Sequence, residues 1–226
     1  MNPEFPHFER KEQEEKKDWG VALALSKECE DEAFRLKDEL LKSGIPLAAE
    51  LGDNPHITLF QGEFPVVCEK EIEQVVTETF ETYRKRFGED IEFQMEDRLY
   101  WRRQNNNVFW NVEQNEALVE LHQILSEGLR SVSGWGIMRQ FRERLQHGNL
   151  SEAERKNIEE YGVLSAGKLF LPHVTIGKLA RSADGPLLES IQTIPARFRI
   201  QDVIIGHIDR FGQVAALRTR LNFKKD

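Results

Sequence analysis

Two copies of one short phrase constrain this chain more than anything else in it. Pro55-His56-Ile57-Thr58-Leu59 stands in the first third and Pro172-His173-Val174-Thr175-Ile176 in the last third. Side chains alternate across a β-strand, so His56 and Thr58 share one face while Ile57 and Leu59 share the other. His173 and Thr175, against Val174 and Ile176, repeat the arrangement. The apolar face needs a cover of helices, and the polar face is left for a groove. Proline suits the first position of a strand, where a missing N–H costs least. A chain that does this twice is expected to form two matching lobes whose phrase strands meet at the centre.

The flanking segments support the duplication. Val21–Leu25 reads as a buried strand, Ser26 as an N-cap, and Ala33, Phe34, Leu36, Leu40 and Leu41 as a helical stripe stopped by Gly44. A short segment over 45–51 and a turn at 52–54 lead into the first phrase strand, residues 56–60. A helix is predicted over 68–86, and 91–95 with 98–102 as a strand pair. The order then recurs: a strand over 108–112, a helix over 116–130, and the second phrase strand from His173. The second half differs by an extra stretch, residues 132–168. It holds a predicted helix over 138–147 and another starting at the capping box of Ser151 and Glu154 and stopped by Gly162. This insertion either borders the site as a lid or packs only on the body. A loop over 182–186 and a short helix follow, then strands over 197–209 and 213–221. The reading is α+β and bilobal, with a pseudo-two-fold axis. Each lobe is an antiparallel sheet with helices on its outer face, and a cleft lies between them. A charged tail is expected over 1–18, one intertwined domain over 19–221, and a short tail over 222–226.

Composition narrows the partners. The 226 residues carry a net charge of −8, which argues against coating long or duplex nucleic acid. A small nucleotide or an RNA end held by a few local residues is compatible with it. No apolar run approaches a membrane span, and the start has no apolar core of a secretory signal. Cys29 and Cys68, the two cysteines, form no metal spacing, so a reduced, cytoplasmic setting and a monomer are expected.

The paired phrases carry the chemistry. Imidazole has an ordinary pKa of about 6.5, so one neutral base and one charged acid can coexist near pH 7. That pairing suits a phosphodiester: one histidine takes a proton from water or a ribose hydroxyl and the other protonates the leaving oxygen. The threonine hydroxyls can bind the non-bridging oxygens. A metal site would need further ligands, and neither phrase has a carboxylate on its His/Thr face; Asp53 lies in the turn. No metal and no cofactor are expected.

On these residues the chain resembles the two-histidine (2H) phosphoesterase superfamily, in its 2′-5′ RNA ligase-like and cyclic nucleotide phosphodiesterase branch. The resemblance spans most of 19–221, with specificity only in the two motifs. It implies a bilobal α+β fold with metal-independent chemistry on 2′,3′-cyclic phosphate or 2′-5′ linkages. By motif, His56 and His173 become the acid–base pair, and Thr58 and Thr175 the phosphate ligands. The insertion and the charged tail depart from compact members and bear on the substrate.

Further residues are candidates for substrate contact. Strand alternation puts Phe60 beside His56 and Thr58, and turns Gln61 and Lys178 away. Tyr100, Trp101 and Trp110 either stack on a base or fill the core. Tyr161 can approach from the insertion. Arg102 and Arg103 either attract an anion or form a solvated hairpin tip. His7, His122, His147 and His207 lack a matching partner and are read as non-catalytic. A nucleotide- or RNA-binding module without turnover is the alternative function, and the tail and insertion can also be read as docking surfaces for a protein.

Overall fold

The structure, a computed structural model, describes residues 15–88, 92–103, 105–164, 166–181, 188, 190–209 and 212–223. Most of the expected N-terminal tail, the 182–186 loop, Arg210-Phe211 and residues 224–226 lie outside them. Strand β1 (Lys16–Ala24) buries Trp19 and Val21–Leu23 and hands over to helix α1 (Lys27–Lys42). The Ser26 side chain accepts from the Cys29 N–H and caps that helix. Gly44, at φ +72°, turns the chain into β2 (Leu47–Glu50). Strand β3 (His56–Pro65) opens at the first phrase and leads to α2 (Glu69–Phe87) and β4 (Glu92–Arg102). Then come β5 (Asn107–Val112) and α3 (Glu116–Arg130), whose cap Asn115 accepts from Ala117 N–H and Leu118 N–H. The insertion contributes α4 (Arg139–His147) and α5 (Glu152–Tyr161), the latter with its capping box formed. The second phrase opens β6 (His173–Leu179), and β7 (Arg197–Arg199), β8 (Asp202–Ile208) and β9 (Val214–Asn222) close the fold.

Every strand pairing is antiparallel. The order β7-β4-β5-β6-β3-β1-β8-β9, with β2 also on β6, places the two phrase strands side by side in the middle. They join through one pair, Ile57 with Val174. Two half-sheets therefore meet at the phrases, β3-β1-β8-β9 on one side and β6-β5-β4-β7 on the other. The helices cross over between them. Helix α1, which follows β1, packs on β6 and β7; α3, which follows β5, packs on β3 and on α2. Ile57, Leu59, Val174 and Ile176 are all buried in the shared core, as the alternation requires. The insertion has its own small core of Met138, Phe141 and Ile158, and the Arg142–Glu63 ion pair at 3.0 Å ties it to β3. No described helix is long and apolar enough to cross a membrane.

Four expectations change. Lys16–Asp18 belong to β1 rather than to a tail, because β3 runs on to Pro65 and gives them ladder partners. Residues 92–102 form one strand, not a pair. Its start binds β7 and its end binds β5, with a break in register between Met95 and Leu99. The single strand expected over 197–209 is two short ones, each in a different half-sheet. Strand pairing extends to Asn222, which places it outside the expected terminal tail.

Candidate active site

Both phrase histidines are held alike. His56 Nδ1 lies 2.7 Å from the carbonyl of Asn54, and His173 Nδ1 lies 2.7 Å from the carbonyl of Leu171. A carbonyl can only accept, so each Nδ1 carries the hydrogen and each Nε2 keeps its lone pair. Each bond reaches back over the phrase proline to the residue two places earlier. The tautomer is thus set twice by the same local device.

A second symmetry was not legible in the letters. Thr58 pairs with Ala22 and Phe60 with Val21, which leaves Leu59 as an extra residue in β3. Thr175 pairs with Phe109 and Gly177 with Val108, which leaves Ile176 as an extra residue in β6. Each phrase strand is bulged immediately after its threonine, and a bulge reverses the alternation that follows. Gln61 and Lys178 therefore come round to the cleft, contrary to the expectation that they face away. Phe60 lines the cavity as expected, although it is 3% exposed and also packs in the core.

A cavity of about 270 Å³ lies against the phrases and is lined by Thr58, His173 and Thr175. His56 is not on this wall. Its ring is 8% exposed, with Nε2 3.5 Å from the Val214 N–H at the start of β9. Several sequence candidates lie elsewhere. Trp110 is fully buried and donates Nε1–H to the carbonyl of Glu96 at 2.7 Å. The Tyr100 hydroxyl accepts from Arg98, Trp101 lies under Arg103, and Tyr161 lies under Arg130. None of these four lines the cavity.

The cavity also holds residues that the sequence left unassigned. Phe109 sits with its ring 3.9 Å from that of His173, centroid to centroid. Arg102 lies over the Phe109 ring, 5.7 Å from its centroid. Gln140, Phe141, Arg144, Val163 and Leu164 come from the insertion, so the insertion does border the site. His122 is a wall residue too, yet both its ring nitrogens are engaged. Nδ1 donates to the carbonyl of Leu59, the bulge residue, at 2.6 Å, and Nε2 accepts from Gly167 N–H at 3.3 Å. The ring also stacks on Phe170 at 4.0 Å. It supports the bulge and has no free nitrogen for proton transfer. Its one sequence signal was a polar residue on the buried stripe of α3.

Burial disfavours charge on all three rings. It pushes His56 below its ordinary value, against the Asn54 carbonyl and Asp209. It pushes His173 to about 4, against the Leu171 carbonyl, with the charges of Arg102 and His56 adding to the effect. His122 also falls to about 4, mainly through burial. All three imidazoles are therefore neutral near pH 7. Among the described residues, no three His, Cys, Asp or Glu side chains gather to hold a metal.

Solved structures share this architecture. The apo crystal structure of E. coli LigT superposes with a TM-score of 0.54 at 15% identity, covering 92% of this chain and 98% of that one. E. coli LigT complexed with 3′-AMP matches at 0.52 and 15%, covering 93% and 100%. A crystal structure described as a phosphoesterase matches at 0.52 and 14%, also covering 93% and 100%. The chain has the LigT fold. Its two half-sheets, meeting at the phrases, are the bilobal α+β arrangement expected from the sequence. No protein-family model matches the sequence, and no curated protein does. At such identities the likeness to LigT is one of fold.

Proposed function

We propose that the chain is a phosphodiesterase using His56 and His173 as its acid–base pair. The substrate class is a 2′,3′-cyclic phosphate or a 2′-5′ linkage, on a nucleotide or an RNA end. The observation that carries this reading is the matched pair of Nδ1–carbonyl bonds, which leave two Nε2 atoms beside two threonines at the meeting of the half-sheets. One Nε2 takes the proton of water; the other returns a proton to the leaving ribose oxygen. Thr58 and Thr175 donate to the non-bridging oxygens as charge builds on them. Burial keeps both rings neutral near pH 7, and an anionic phosphate beside them favours the imidazolium of the acid. Proton transfer by imidazole needs no metal. LigT structures complexed with phosphate and with 3′-AMP support a phosphate-bearing nucleotide as ligand.

The test is hydrolysis of 2′,3′-cyclic nucleotides and 2′-5′ oligonucleotides with a chelator present. His56→Ala and His173→Ala are each expected to lose about a hundredfold or more in kcat, the scale of a positioned proton donor or acceptor. Full activity in either variant overturns the mechanism. One observation favours the alternative, a binding module: the Val214 amide covers His56 Nε2 in the unliganded fold. Nucleotide binding without turnover, unaffected by alanine at either histidine, would establish that alternative.

A further inference from the structure

The cavity's charge runs against that of the chain. Acidic residues outnumber basic ones, 39 to 31. Yet the cavity wall carries Arg102, Arg144 and Lys178 and no carboxylate among the described residues. The carboxylates gather next door: the groove of about 760 Å³ along α3 holds Glu96, Glu116, Glu120 and Glu127. Arg144 and Lys178 form no ion pair with any described residue, whereas Arg142, on the same helix as Arg144, is paired with Glu63. Arg102 and Arg144 come from different parts of the chain but converge, since both act on the Glu154 carboxyl. That carboxyl is held below its usual range first by the Ser151 backbone bond and only then by these two charges. Glu154 lies outside the cavity wall, where Ser151 engages its carboxylate in the capping box of α5.

The position of the three cations is defined relative to the phrases. Arg102 stands over Phe109, and Phe109 lies against His173. Lys178 reaches the cavity because of the bulge at Ile176. Arg144 is supplied by the insertion. Arg102 and Lys178 flank Asn107 in the strand ladder, two residues along β5 from the Phe109 that pairs with Thr175.

We propose that Arg102, Arg144 and Lys178 form a second anion subsite, which takes the phosphate on the 5′ side of the nucleoside whose 2′,3′ or 2′-5′ phosphate reacts. Such a phosphate is either a 5′-phosphomonoester or the internucleotide diester of an RNA end. Guanidinium and ammonium groups bind both through charge-assisted hydrogen bonds. The proposal rests on the phosphodiesterase reading, and binding tests it separately from turnover.

The experiment is a calorimetric titration of the full chain with adenosine 3′-monophosphate, adenosine 3′,5′-bisphosphate and the dinucleotide ApAp, whose second phosphate is a diester. Cyclic-nucleotide hydrolysis is measured on the same preparation. One bond to a charged group is worth about tenfold in affinity, so the bisphosphate or the dinucleotide is expected to bind about tenfold or more tighter than the monophosphate. Whichever gains most names the source. In Arg144→Ala and Lys178→Ala that preference is expected to fall towards one, and in Arg144→Glu to reverse. Equal affinity of the three ligands for wild-type protein overturns the subsite. So does a preference that survives all three variants. Absence of hydrolysis with the preference intact overturns the catalytic reading while supporting the subsite.

Discussion

His122 gives the fold a measurable response to acid. Its ring is 2% exposed, with a pKa of about 4 against an ordinary 6.5. Below pH 6.5 the unfolded chain takes up a proton at this residue, while the folded chain does not until about pH 4. The unfolded state then binds more protons, so stability falls as pH falls through that window and the loss levels off below it. At about 1.4 kcal/mol per pH unit, the loss is about 2 kcal/mol at pH 5 and about 3 kcal/mol at pH 4. His122→Gln isolates this contribution. At neutral pH the variant is expected to be less stable by about 1–3 kcal/mol, because the Leu59 carbonyl and Gly167 N–H lose their partner. On acidification it escapes the proton penalty, so wild type should lose most of its advantage by about pH 5 and all of it by about pH 4. Urea unfolding followed by tryptophan fluorescence across this range measures both curves. A gap that stays constant from about pH 7.5 to pH 5 refutes the account, because no proton would then be linked to folding at His122.

Other consequences are open to direct measurement. A bound nucleoside 3′-phosphate should raise the titration midpoint of His173 from about 4 by about one pH unit or more, since an opposite charge nearby favours imidazolium. NMR of the ring protons reads this, and an unmoved midpoint excludes phosphate from the site. Gly206→Ala places a Cβ 2.4 Å from the Ala216 carbonyl oxygen across β8 and β9. Either the backbone must shift, at about 1–3 kcal/mol in urea unfolding, or an unchanged midpoint shows that this close approach is wrong. Asn115→Ala removes the side-chain oxygen that caps α3 and should lower stability by about 1 kcal/mol. A loss no larger than that of an exposed alanine substitution elsewhere on α3 would show that the cap contributes little.

The sequence revealed features whose cause is local. The span of α3 follows from its leucine stripe, and the bounds of α5 from Ser151, Glu154 and Gly162; each signal lies within a turn or two of what it controls. Strand alternation is local as well, and it brings Thr58, His173 and Thr175 to the cavity wall, although His56 stands off it. Its reach ended one residue after each threonine. A bulge is fixed by what the neighbouring strand offers, here Ala22 and Val21 for β3 and Phe109 and Val108 for β6. Gln61 and Lys178 were consequently turned away from the cavity that they line. Phe109 was missed for a related reason: it becomes a neighbour of His173 only through pairing between distant segments. The aromatics Trp101 and Trp110 illustrate the reverse error, since their rings are attractive stacking surfaces in isolation and the fold spends them on packing and on the Glu96 carbonyl.

The crossed helices and returning strands also set when this protein can begin to work. Neither half-sheet is complete without chain that comes after the second phrase: β7 edges one through β4, and β8 and β9 extend the other through β1. Pairings between such distant segments put the fold on the slow side of the topology scale. A chain still emerging from the ribosome would carry His56, and later His173, as separate histidines on strands without their partners. The paired arrangement of the two histidines becomes available only after residues 197–222 have emerged and both half-sheets have closed.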